Sequence, residues 1–165
     1  AVAHAVEALL VVASPGASLQ TAARSPLNPF AFARTCYDHL AGKLGVEIVA
    51  ALQDQEFIHA SGKNYDVTPS GSDWLRGINI HVEQLRCDRR LFAAPCLDFT
   101  ERRPHLGGAL GAALLERMVQ LEWIAKSRVP RAVRLTDEGR TQLHKRLRLQ
   151  FTNGQNVKYA GSPAR

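Results

Sequence analysis

Two stretches of the chain carry apolar residues three and four positions apart, the spacing that lines side chains along one face of a helix. The first holds Val46, Val49, Leu52 and Phe57, and the second holds Leu110, Leu114, Met118, Leu121 and Trp123. Each stripe predicts an amphipathic helix whose apolar face is core. Downstream of the first, Phe57-Ile58-His59 and Tyr65-Asp66-Val67 flank a short polar segment with Gly62 and Asn64. That arrangement predicts a two-stranded hairpin, because Gly and Asn relax the backbone where strands reverse. In the second stretch the turn is replaced by "KSRVPRA", two residues longer and more basic. Each hairpin runs into a threonine, Thr68 ahead of Pro69-Ser70-Gly71 and Thr136 ahead of Asp137-Glu138-Gly139. Both threonines are predicted N-caps, with Pro69 at a first helical position where its missing amide costs little. The last helix is predicted to run through Leu143, Leu147 and Leu149, leaving "NGQNVKYAGSPAR" as a loose tail.

The two stretches are copies of one pattern. "HLAGKLGVEIVAALQDQEFI" at 39–58 answers "HLGGALGAALLERMVQLEWI" at 105–124. His39, Leu40, Gly42, Leu44, Gly45, Glu56 and Ile58 recur as His105, Leu106, Gly108, Leu110, Gly111, Glu122 and Ile124. After a two-residue register shift, Thr68, Gly71 and Leu75 recur as Thr136, Gly139 and Leu143. A repeated pattern reports repeated packing. Each unit reads helix, helix, hairpin, helix, so the predicted fold is α+β and mostly helical, with tandem winged-helix-like units and two small β-hairpins. The predicted organisation is the end of a preceding dimerisation helix and a linker over 1–29, a first unit over 30–90, a second unit packed with it over 91–150, and a loose tail over 151–165.

Composition narrows the function classes. With 165 residues, 45% hydrophobic and 22% charged, the chain can bury one sizeable core and is no disordered polyelectrolyte. Its formal charge of +6 permits an anionic partner without identifying one. Three cysteines, Cys36, Cys87 and Cys96, are too few for a disulfide framework and point to a reducing compartment, so a cytoplasmic location is expected. No apolar stretch reaches the roughly 20 residues of a membrane helix, and no membrane partner is expected. The opening "AVAHAVEALLVVA" starts at Ala1 like a helix already under way, which suggests a truncated or processed chain.

The segments "FARTCYDHLAGKLGV" and "FAAPCLDFTERRPHLGGALGAALLERM" resemble the longer members of the arsenical-repressor (ArsR) family of winged-helix transcription regulators, in the region that follows their DNA-binding domain. The resemblance covers about residues 30 to 147, and residues 1–13 resemble the terminal helix of the preceding domain, which in such families helps subunits pair. It implies a homodimeric repressor that meets DNA through the intact regulator and responds to a small-molecule, metal or redox signal. The Cys-Val-Cys pattern of the family's arsenic, cadmium and zinc sensors is absent from the sequence.

The residues that could carry such a signal lie in those two segments. A helix through "TCYDHL" would place Cys36 and His39 on one face, and Cys96 and His105 repeat the same residue types in the second unit. Four such groups could hold a thiophilic or borderline metal, although separations of three and nine residues form no zinc signature. The plainer alternative has the histidines bracing equivalent turns and the cysteines packing as small apolar groups. Thiol sensing through Cys36 or Cys96 is the third reading, favoured if Arg34, Arg102 or Arg103 stabilises a thiolate. If the segments meet, Phe30, Phe32, Tyr37, Phe92 and Phe99 could wall a pocket with Arg34, Asp38, Asp98 and Arg102 at its mouth. The ligand- or thiol-sensing set is thus Cys36, Cys96, Arg34, Asp38, His39, Asp98, Arg102 and His105, with the metal question open and no cofactor called for.

For DNA, the basic second hairpin with Lys126, Arg128, Arg131 and Arg134 is the best local surface. The helix ahead of the first hairpin, "GVEIVAALQDQ", carries acidic residues and no Lys or Arg, which suits packing better than groove reading. No diagnostic nucleophile or acid–base motif is present, so an enzyme is not expected. The expected function is the regulatory and dimer-coupling region of a transcriptional repressor that senses a small ligand or thiol signal. The alternatives are a stand-alone winged-helix DNA-binding module and a purely structural dimerisation module.

Overall fold

The computed structural model describes residues 29–152 and 156–159, together with Leu9. The helix and linker expected over 1–29 therefore lie almost wholly outside the described residues.

Each repeat opens with a hairpin, not a helix. After a single turn, α1 (Pro29–Phe32), the chain forms β1 (Arg34–Cys36) and β2 (His39–Ala41), then the long helix α2 (Gly42–Asp54), a second hairpin of β3 (Ile58–Ser61) and β4 (Asn64–Val67), and the short helix α3 (Pro69–Arg76). A connecting turn, α4 (Val82–Arg86), leads to the second copy: β5 (Ala94–Leu97), β6 (Pro104–Gly107), α5 (Gly108–Gln120), β7 (Ile124–Lys126), β8 (Val133–Leu135) and α6 (Asp137–Leu147). The order is hairpin, helix, hairpin, helix in both, which corrects the expected helix, helix, hairpin, helix. The fold is α+β, with five two-stranded antiparallel sheets among the described residues in place of the two expected hairpins. It is not mostly helical.

The helix expected through "TCYDHL" is the β1–β2 hairpin. Tyr37 takes a left-handed φ of 57° at its turn, and Cys36 sits opposite His39 across the strands. The expected loose tail is corrected as well. α6 stops at Leu147 because Arg148 adopts a left-handed φ of 55°, and β9 (Leu149–Thr152) then pairs with β10 (Asn156–Tyr159). Val157 and Leu149 are fully buried in the core and β10 packs on α2.

The matching details of the two copies follow from matching residues. Both long helices begin at a glycine with φ of +81°, Gly42 and Gly108, a backbone region that disfavours side chains. A Cβ at Gly42 would also press on the carbonyl oxygens of Ala31 and Phe32. Both helices end through a left-handed glutamate, Glu56 and Glu122. Thr68 and Thr136 accept hydrogen bonds from the Gly71 and Gly139 amides at 3.0 and 2.9 Å, as N-caps should. Each threonine hydroxyl also donates to a carbonyl ahead of the preceding strand, Glu56 and Glu122, at 2.7 Å in both copies.

The copies interlock. α2 packs on β6 and α5 packs on β2, so each long helix rests on the other repeat's first hairpin. The Tyr65 amide of β4 donates to the Ala93 carbonyl, and the Val133 amide of β8 donates to the Ala33 carbonyl. Leu44, Ile48 and Leu52 of the first copy share one buried cluster with Leu110, Leu114 and Met118 of the second. The two first hairpins meet at the centre of this exchange.

Candidate functional site

Cross-strand neighbours in an antiparallel pair project to the same face with their Cβ atoms roughly 4.5–5.5 Å apart. Cys36 faces His39 in the β1–β2 register, and Cys96 faces His105 in the β5–β6 register. The hairpins abut, so the two Cys–His pairs converge. One donor atom from each of Cys36, His39, Cys96 and His105 lies within 4.8 Å of every other, and all four residues are buried. The Nε2 atoms of His39 and His105 stand 3.2 Å apart. Close approach is possible because small residues surround the pairs. A Cβ on Gly111 would collide with the Leu106 carbonyl and crowd the His39 Cβ, and a Cβ on Gly45 would do the same to Leu40 and the His105 Cβ.

A carboxylate stands behind each imidazole. Asp38 Oδ1 lies 3.2 Å from His39 Nδ1, and Asp98 Oδ2 lies 3.4 Å from His105 Nδ1, the latter an ion-pair distance without full hydrogen-bond alignment. Such a carboxylate favours the proton on Nδ1 and leaves Nε2 as the inward-facing lone pair. With the protons so placed, two lone pairs 3.2 Å apart can share a proton or hold a metal ion, and with one ring in the other tautomer they form an N–H···N hydrogen bond.

Asp98 is the hub of the joint. Its carboxylate accepts from the Arg34 guanidinium at 2.9 Å, the Gly42 amide at 2.7 Å, and the Thr100 hydroxyl and amide at 2.7 and 2.9 Å. Burial opposes its charge, but His105, Arg34, Thr100 and the Gly42 amide together hold the carboxyl well below the usual range. The Gly42 amide opens α2, so a second-repeat carboxylate caps a first-repeat helix. Arg34 is fully buried and stacks over Phe99, its guanidinium carbon 4.2 Å from the ring centroid. A further ion pair crosses between the halves, Arg103 to Glu47 at 2.9 Å, and Arg90, in the segment that joins the copies, pairs with Asp38 at 2.7 Å.

Seven of the eight expected sensing residues therefore come together. Arg34 and Asp98 are inside the joint, not at a mouth, while Asp38 is partly exposed at the β1–β2 turn. Arg102 is the exception, exposed on the β5–β6 loop with a left-handed φ of 53°. The Cys36 thiol is pushed up to about 12 by hydrogen bonding with Cys96 and by burial, against hydrogen bonds from both histidines. Of the basic second hairpin, Lys126, Arg128 and Arg134 are exposed. Arg131, also exposed, turns back to donate to the Thr35 carbonyl at 3.0 Å, fastening that hairpin to β1. Sequence reasoning missed Thr100, Glu47 and Arg90 as parts of the joint. The Asp-x-Thr spacing of Asp98 and Thr100, which fits a side-chain turn, was the available signal for the first.

The chain that carries this fold and joint is similar to a protein named as a helix-turn-helix regulator. That relative is the uncharacterized HTH-type transcriptional regulator YdfF of Bacillus subtilis (strain 168), 40% identical over 150 residues, which are 90% of this chain and 66% of that protein. The chain thus spans just under two thirds of the relative's length. No family model matches the chain. No solved structure matches it either. Among the described residues, no helix is long and apolar enough to cross a membrane.

Proposed function

We propose that the interlocked repeats are the signal-receiving and subunit-coupling region of a cytoplasmic, homodimeric transcriptional repressor of the ArsR type, with winged-helix-like units that no longer read DNA. The observation that carries this is the joint itself: the residues with chemistry to offer a signal sit where the two repeats hold each other. A change of state there alters how the repeats pack, and packing is the lever through which an effector shifts a DNA-binding equilibrium.

The long helices support the same reading. α2 buries Leu44, Val46, Glu47, Ile48, Val49, Ala51 and Leu52, and α5 buries Leu110, Leu114 and Met118. The burial of α2 along most of its length and of α5 along one face supports leaving operator contact to a helix-turn-helix elsewhere in the intact regulator. The exposed Lys126, Arg128 and Arg134 favour one competing reading, in which this region itself touches phosphates.

Fluorescence anisotropy with the promoter duplex of the regulator's own gene separates the two. The intact gene product is expected to bind with an affinity that shifts at least 5-fold when the joint changes state, the low end of ordinary coupling, and the 165-residue chain is expected not to bind specifically. Tight, salt-dependent binding by that chain, lost on substituting Lys126, Arg128 and Arg134 together, would overturn the proposal in favour of a stand-alone binder.

A further inference from the structure

We propose that Cys36, His39, Cys96 and His105 form a tetrahedral site for a zinc-like divalent cation, one Cys–His pair from each repeat, at the pseudo-twofold joint. The site gives the signal-receiving joint its chemistry. It rests on that reading for its regulatory sense and stands apart from it for metal binding.

The geometry fits before any metal is placed. Zinc bonds of about 2.0–2.1 Å to nitrogen at a tetrahedral angle set two imidazole nitrogens about 3.3 Å apart, and the His39 and His105 Nε2 atoms are 3.2 Å apart. Zinc–sulfur bonds of about 2.3 Å set two sulfurs about 3.8 Å apart, and all four donors already lie within 4.8 Å of one another. The outer groups are also in place, since Asp38 and Asp98 stand behind the two imidazoles as carboxylates stand behind metal-bound histidines. Repetition adds a further argument. The second hairpin has a longer loop, with six more residues between cysteine and histidine than the first, yet the Cys–His pairing across the strands is kept in both.

Charge points to the class of ion. A divalent cation entering between two cysteines expels both thiol protons to solvent, and two thiolates with two neutral imidazoles make a site of zero net charge. A neutral centre is one that a fully buried joint can hold without a large desolvation cost. Sulfur with imidazole suits zinc, cobalt and cadmium and disfavours magnesium or calcium, which take oxygen. Four protein donors leave no open position, so the site is a clamp rather than a reaction centre.

The test is a cobalt(II) titration of the complete 165-residue chain, stripped of metal under reducing conditions and checked by circular dichroism. One equivalent of cobalt is expected to give the intense visible bands of a tetrahedral ion together with thiolate-to-cobalt charge transfer, both erased by zinc. Cys87→Ser, at an exposed thiol away from the joint, is expected to leave the spectrum unchanged. Cys96→Ser is expected to halve the charge-transfer intensity. Asp38→Asn, at a partly exposed positioning residue, is expected to weaken binding about 10–100-fold while keeping the tetrahedral spectrum. A folded chain that shows only weak octahedral bands, that titrates identically without Cys96, or that closes a Cys36–Cys96 disulfide in preference to binding metal would overturn the proposal. Metal binding that leaves the intact regulator's promoter affinity unchanged would keep the site and remove its signalling role. A promoter response without cobalt binding would do the reverse.

Discussion

At the scale of single residues, the joint depends on charges placed where water cannot reach them. Arg34 and Asp98 both have fully buried side chains and are 2.9 Å apart. Removing one partner leaves the other charged and uncompensated, which typically costs about 3–5 kcal/mol, whereas replacing both by apolar groups of similar volume is often neutral. Asp98→Ala and Arg34→Ala are each expected to lower stability by about that amount, and the double variant Arg34→Met with Asp98→Leu to recover part of it. Urea unfolding of the metal-free chains checks this, and equal, additive losses would show that the two side chains do not act as a pair. The types of these residues were legible in the sequence, but their partners were not. Asp98 draws groups from positions 34, 42, 100 and 105, and nothing in a linear pattern announces that convergence. The state of the cysteines likewise depends on what packing brings together: the Cys36 thiol is raised by hydrogen bonding with Cys96, sixty positions away in the chain, and by burial.

At the scale of elements, the long helices, the second hairpins and the capped helices are written plainly into the chain, because each depends on a local signal. Helical apolar spacing, a Gly-containing turn and a threonine three residues ahead of a glycine need no distant partner. Thr68→Ala and Thr136→Ala are each expected to cost about 1 kcal/mol, read as a shift in thermal midpoint, with Ser at either position retaining most of the stability. A loss confined to one copy would break the equivalence of the caps. The first hairpins were hidden for a physical reason. A helix brings residues three apart together, and a two-residue turn brings the same two residues opposite each other, so Cys36 and His39 meet in either conformation. Strands of three and four residues carry too little periodicity to decide. The β9–β10 pair was hidden by the polar residues around its buried anchors Leu149 and Val157.

At the scale of the whole molecule, the repeat in the sequence becomes a pseudo-symmetric object, and the symmetry explains the site. Duplicating a hairpin with one Cys–His pair yields two pairs, and interlocking the copies sets the pairs face to face. The interlocking itself was not legible, since the same internal pattern would serve two units standing side by side. What decides it is the exchange of contacts, α2 on β6 and α5 on β2, together with main-chain bonds from Tyr65 to Ala93 and from Val133 to Ala33. An ion held at the centre of that exchange ties both halves at once, so its arrival or loss reaches every element that the joint supports. Its coordination is therefore the property to measure. X-ray absorption at the zinc edge of the loaded 165-residue chain is predicted to show two sulfurs at about 2.3 Å and two nitrogens at about 2.0–2.1 Å with imidazole scattering beyond them. A shell of oxygen and nitrogen alone, or zinc that washes away with the buffer, would contradict it.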